Sequence, residues 1–133
     1  MPHLIVEYSS NLDGRVDIDH LIESLHVAAA GTGVFPLGGI RTRASRREHY
    51  RIADGDRENS FVHVTARIRH GRPLDLRKRA GQTLFDALCQ ALAPVYDTQP
   101  LAISLEVQEI DPDLNFKQNN LHEYVAKRER GSA

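Results

Sequence analysis

A single cysteine in 133 residues excludes any disulfide framework within the chain. That residue, Cys89, falls inside an apolar helical pattern and reads as a small core side chain rather than a nucleophile. Neither sign of charge is in excess: 17 lysines and arginines stand against 18 acids, for a formal charge of -1. This balance excludes a general polyanion binder, and the basic run from Arg41 to Arg51 is too local to read as a nucleic-acid surface. There is no apolar run of membrane-spanning length and no signal-peptide pattern, so the expected location is the cytoplasm. A glycine-rich phosphate loop, a metal-spaced cluster and a Ser-His-Asp pattern are also lacking. His3 and His63 lie in strand patterns without partners at ligand spacing and read as structural. The sequence therefore calls for neither metal nor cofactor.

What is present begins at the first residues. Proline stands second, and the apolar run Leu4-Ile5-Val6 follows almost at once. Methionine is usually removed before proline, and removal leaves a free secondary amine. First residues normally fray, yet this one would be anchored by a core strand. An α-amino group has a pKa near 7.7–8.0 in the open. Partial burial and neighbouring cations push that value toward neutrality, where one group both accepts and donates protons. Pro2 is thus the candidate catalytic base. If Met1 stays attached, the Pro2 nitrogen is an amide with no basicity.

The pattern downstream repeats. His3 to Tyr8 reads as a strand, with Leu4, Val6 and Tyr8 on one face. Asp17 is placed as the N-cap of a helix whose stripe is Ile18, Leu21, Ile22, Leu25 and Ala29, ending at Gly31 and Gly33. The apolar connection Val34 to Gly39 leads into a strand from Ile40 to Ser45, which sets Arg41 and Arg43 on one face. A charged segment, Arg46 to Asn59, is expected to hold a short hairpin strand around Tyr50 to Ile52. Phe61 to Arg69 alternates as a third strand. A helix follows from Leu74 to Ala93, striped by Leu84, Leu88, Ala91, Leu92 and Val95 and stopped by Pro94. Leu101 to Gln108 is the fourth strand. Asp111 to Gln118 reads as a polar loop, Asn119 to Arg130 as a short exposed helix, and Gly131-Ser132-Ala133 as a flexible end. The first and third strands open 58 residues apart, as do the helices at Asp17 and Asp75. Two β–α–β units in tandem follow, at about 2–58 and 60–112, with a tail over 113–133. The expected fold is α+β, in one domain over 1–133: a four-stranded mixed sheet, two helices on one face, short extra strands and a C-terminal helix. The position equivalent to Pro2 in the second unit is Ser60, inside the chain, so only the first unit offers an amine. The uncovered sheet face requires burial by something else, most simply other subunits.

Several stretches carry a family resemblance. They are Pro2 to Glu7, Thr32 to Arg43, Ala53-Asp54-Gly55, Phe61 to Thr65 and Leu114 to Asn120. Together they resemble the 5-carboxymethyl-2-hydroxymuconate isomerases of the tautomerase superfamily, alongside 4-oxalocrotonate tautomerase and macrophage migration inhibitory factor. The resemblance implies a cofactor-free isomerase of homoprotocatechuate breakdown. It would work as a homotrimer and convert a dienol polycarboxylate to its 2-oxo isomer. Arg41 matches the family's strand arginine, and Arg72 follows the third strand. A planar guanidinium suits a carboxylate substrate and stabilises the oxyanion that develops on enolisation. Arg43 shares a face with Arg41 and is a further substrate-binding candidate. Phe116, in an otherwise polar loop, is placed as a wall over the substrate, and Asn115 as a donor to a carboxylate. Two alternatives remain open: a tautomerase-type protein acting on another enol carboxylate, and a non-enzymatic binding or signalling protein. The basic segment Arg46 to Arg51 departs from the family pattern.

Overall fold

The computed structural model describes residues 1–131; Ser132 and Ala133, placed above in a flexible end, lie outside the described residues. Four strands form one sheet, in the order β2-β1-β3-β4. Strand β1 (His3–Ser9) lies parallel to β2 (Arg41–Arg47) and antiparallel to β3 (Ser60–Arg69), and β3 lies parallel to β4 (Leu101–Ile110). Helix α1 (Ile18–Gly31) connects β1 to β2, and α2 (Leu74–Tyr96) connects β3 to β4. The crossovers that make each pair parallel follow from this order. The two units meet where β1 and β3 pair with Val6 opposite Val64.

Alternation decides which face is buried. Leu4, Val6, Val62, Val64 and Ala66 are wholly buried, and they pack with Leu21, Leu25 and Ala29 of α1 and Leu84, Leu88 and Leu92 of α2. Asp17 caps α1 as its position requires, its carboxylate accepting from the His20 N–H at 3.1 Å. The other sheet face carries polar groups bound across strands. His63 on β3 sits between Ser104 Oγ (2.7 Å from Nδ1) and Glu106 Oε1 (3.1 Å from Nε2) on β4, a structural stitch. That hydrogen bond from His63 is the main reason the Glu106 carboxyl lies below its ordinary value.

Two expectations change. The short strand around Tyr50 to Ile52 does not form among the described residues. Local hydrogen bonds take the backbone instead: the Gly55 N–H donates to the Ile52 carbonyl at 2.9 Å, and Asp54 Oδ1 accepts from the Asp56 N–H and from Asn59 Nδ2. Such Asx-type turns compete with a ladder, and Ala53 at φ 52 and Gly55 at φ 84 suit a turn rather than a strand. Nor does Pro94 stop α2, which runs on to Tyr96. Pro94 and Gln90 are both exposed, so water can satisfy the one carbonyl that loses its donor. The last turn closes through Asp97 N–H to Ala93 O and Gln99 N–H to Val95 O, both 2.9 Å.

The basic segment is matched by acids. Arg46 binds Asp13 and Glu48, each at 2.7 Å, and Arg47 binds Glu7 at 2.9 Å. These exposed pairs contribute little stability, but they neutralise the run locally.

Candidate active site

The chain start is fixed by the sheet. The Arg41 N–H donates to the Pro2 carbonyl at 3.0 Å, extending the parallel ladder by one residue beyond His3 opposite Arg41, and Pro2 is fully buried. Beside it runs a 3-10 turn, Leu37–Gly39, closed by Gly39 N–H to Pro36 O and Ile40 N–H to Leu37 O. Both of its buried positions are glycine, and in the chain that carries Met1 neither has room for a Cβ. A Cβ on Gly39 would lie 2.7 Å from the Met1 nitrogen and 3.0 Å from its carbonyl oxygen. A Cβ on Gly38 would lie 2.6 Å from His122 Nδ1 and 2.9 Å from His122 Cα.

His122 belongs to α3 (Leu121–Gly131), which docks on that turn. Asn119 links the two: its Oδ1 accepts from the Leu121 N–H at 2.8 Å, and its Nδ2 donates to the Gly38 carbonyl at 3.4 Å. The Gly38 contact with α3 involves backbone, so side-chain rotation alone cannot relieve a methyl group there. Gly38→Ala is expected to cost roughly 1–3 kcal/mol of packing and to loosen α3. Faster proteolysis after residue 114, with the rest of the chain intact, is the readout.

The cleft at the chain start has a volume of about 530 Å³ and is lined by Met1, His3, Arg41, residues 115–119 and His122. Among the described residues that line it none is a carboxylate, and Arg41 and Lys117 are cations. Burial is the leading cause that holds the Met1 amine below an ordinary α-amino value; the positive charges of Arg41, Lys117 and Arg72 add to it. Both effects disfavour a charged amine. Arg41 is steadied by its own turn, Nη1 donating to the Gly39 carbonyl at 3.3 Å.

The structure thus brings Arg41, Asn115 and Phe116 into one cleft with the chain start. Phe116 is 88% exposed. Arg72 and Arg43 do not line this cleft. Arg72 donates to the carbonyls of Val34 and Arg69, both at 3.2 Å, and stacks over the Phe35 ring at 5.2 Å. It reaches the amine through its charge alone. Arg43 is exposed and donates from Nη1 to His3 Nδ1 at 3.1 Å.

Five cleft residues were not named as site candidates from the sequence: His3, Lys117, Gln118, Asn119 and His122. Lys117 lies between Phe116 and Asn119 in a stretch already singled out, and its charge was the signal available. His3 and His122 had none, because strand and helix periodicity say nothing of what faces a cleft.

Two other grooves run along α2 and the outer edge of β4. One is lined by residues including Leu74, Arg77, Phe85 and Ile103, the other by Phe85, Cys89, Tyr96 and Leu101. Burial raises the Cys89 thiol above its ordinary value, with Asp86 adding to the effect, which leaves it a poor nucleophile. No group of three or more His, Cys, Asp or Glu side chains gathers to hold a metal among the described residues, and no described helix is long and apolar enough to cross a membrane.

Comparison with known proteins adds a lineage to this geometry. The model of the 5-carboxymethyl-2-hydroxymuconate isomerase family matches residues 2–125. The chain is 41% identical over 122 residues to 5-carboxymethyl-2-hydroxymuconate Delta-isomerase of Escherichia coli, covering 92% of this chain and 97% of that one. A crystal structure of a 5-carboxymethyl-2-hydroxymuconate isomerase from Deinococcus radiodurans R1 superposes with a TM-score of 0.86 at 33% identity, over 93% of each chain. The fold extends further: a fused 4-OT described as a wild-type symmetric trimer gives a TM-score of 0.60 at 16% identity, over 89% of this chain and 94% of that one.

Proposed function

Because the chain belongs to the 5-carboxymethyl-2-hydroxymuconate isomerase family, we propose that its cleft converts the dienol 5-carboxymethyl-2-hydroxymuconate to the 2-oxo isomer, with Pro2 as the base. The protein is an isomerase of the tautomerase type. Met1 lines the cleft while Pro2 is buried next to it in the chain, and loss of Met1 would free the Pro2 amine toward that space. That amine takes the proton from the 2-hydroxyl, and the negative charge spreads from the oxygen along the diene. The protonated amine then returns a proton to the far carbon, which leaves a ketone at C2 and regenerates the base. No atom is gained or lost.

One observation carries the reading: the chain start lines a cleft that offers Arg41 and Lys117 and no described carboxylate. Arg41 would hold the carboxylate beside the reacting oxygen and stabilise the enolate. Asn115 would donate to a carboxylate, Phe116 would close over the bound diene, and Arg72 would act through its field. Arg43 would serve from beside His3. Residues 1–133 would work as one domain, with the pseudo-repeats and tail set out above. A homotrimer would cover the polar sheet face, consistent with the fused trimer of the same fold, and the cytoplasm would be its location.

The test is an intact-mass measurement followed by a ketonisation assay. Turnover at ordinary enzymatic efficiency by a chain lacking Met1 supports the assignment. Faster turnover of a different enol carboxylate moves the substrate, and no turnover of either favours the non-enzymatic reading.

The pH profile has a defined sign. Burial and the charges of Arg41, Lys117 and Arg72 hold the Met1 amine below the ordinary α-amino value, and they would act in the same direction on an amine freed at the buried Pro2. Below its pKa the amine is protonated and cannot accept the substrate proton. The acidic limb of kcat/KM is therefore expected to centre under about 7.7, falling tenfold per pH unit below that centre. A limb centred at or above the ordinary value would remove the amine as the base.

A further inference from the structure

Arginine carries only donors. Since Arg43 Nη1 lies 3.1 Å from His3 Nδ1, that ring nitrogen accepts and carries no proton. The remaining proton of the imidazole is then on Nε2. Burial pushes His3 below its ordinary pKa, and Arg43, the chain terminus, Arg41 and Arg67 push the same way, so the neutral ring prevails near pH 7. His3 also lines the cleft that holds the chain start. A neutral side chain with its N–H on Nε2 thus lines a space whose cations are Arg41 and Lys117.

The proposed dienol carries three carboxylates, and the cleft is lined by two cations. We infer that His3 donates from Nε2, alongside Asn115, to the carboxylate that the cations Arg41 and Lys117 leave unmatched, and that Arg43 is a positioning residue acting through His3 by holding its tautomer. His3 then selects polycarboxylates over monocarboxylate enols, which the two cations satisfy without it. This rests on the cleft being the substrate site as proposed above. Arg43 itself need not touch substrate.

Two readouts test the inference in the chain processed to Pro2. The first is calorimetric binding of tricarballylate, an unreactive tricarboxylate. The second is turnover of 5-carboxymethyl-2-hydroxymuconate and of phenylenolpyruvate, a monocarboxylate enol. His3→Phe is expected to weaken tricarballylate and to raise KM for the tricarboxylate dienol by roughly ten- to hundredfold, the loss of a hydrogen bond to a charged group. Its kcat should stay within about threefold, as for lost uniform binding, and phenylenolpyruvate kinetics should not change. His3→Gln, which keeps a neutral donor, should retain most of the affinity. Arg43→Met should move the same constants in the same direction and add nothing in the His3→Phe background, while Arg43→Lys should restore them.

Unchanged tricarballylate binding in His3→Phe overturns the inference, as does an equal loss for both enols. Additive effects of the two substitutions overturn the role of Arg43. Should His3→Phe fail to fold by circular dichroism, His3→Leu on the same half-exposed strand position replaces it. If the wild-type chain binds tricarballylate but does not turn over the dienol, the proposed reaction fails while the binding arm still decides the role of His3.

Discussion

A processed chain carrying Pro2→Ala is expected to lose most of its ketonisation activity, and a chain that retains Met1 to lose essentially all of it. The two results differ for a chemical reason. Alanine at the chain start still supplies a primary amine, but without the ring that fixes its direction. Retained Met1 turns the Pro2 nitrogen into an amide and inserts its own residue into the cleft, where the methionine nitrogen already comes within contact of Gly39. General acid–base catalysis is worth roughly 10²–10⁴ in rate. Pro2→Ala should fall near the low end of that range in kcat, and the Met1-bearing chain at or beyond the high end. Intact mass assigns each sample before stopped-flow ketonisation. Near wild-type turnover by either form would place the base elsewhere.

Arg41→Gln should have the next largest effect, lowering kcat/KM by roughly 10²–10³, as expected for removing a donor aimed at a developing oxyanion. Arg41 has a second action that provides a separate signature. It is the strongest of the three cations that depress the amine at the chain start. Its removal should raise that pKa and shift the acidic limb of the pH profile upward. Arg41→Lys keeps the charge but loses the planar fork that binds a carboxylate through two parallel bonds. It should leave the limb in place while still costing activity. If Arg41→Gln reduces the rate without moving the limb, the arginine binds substrate but does not tune the base. The backbone of residue 41 should remain in place in either variant, since its N–H binds the Pro2 carbonyl whatever the side chain.

Much of this was legible in one dimension. The alternation of Leu4 and Val6 and of Val62, Val64 and Ala66 named the buried face of β1 and β3, because a strand sends successive side chains to opposite sides. The stripes through Leu25 and Leu88 named the helix faces for the equivalent reason. The equal spacing of the two units fixed the topology, since each helical crossover closes a parallel pair. What failed were local contests between similar energies. The segment around Tyr50 to Ile52 had strand-like residues, yet Gly55 and Asn59 gave the Ile52 carbonyl nearer partners. Pro94 looked like a stop signal, yet its lost hydrogen bond falls where Gln90 meets solvent.

The sequence alone determined that this chain folds as two β–α–β units and that Pro2 and Ser60 hold equivalent places in them, because periodicity and spacing are properties of order along the chain. Only the tertiary structure decided what stands around Pro2. Strand register put Arg41 beside His3 and turned Arg43 onto its ring, Gly38 and Gly39 let α3 and the chain start approach one turn, and the loop from residue 115 brought Lys117 back across about a hundred positions of sequence. Those encounters follow from how elements pack against one another. Neither residue type nor spacing records them, since a cleft-lining side chain and a solvated one carry the same pattern in the sequence.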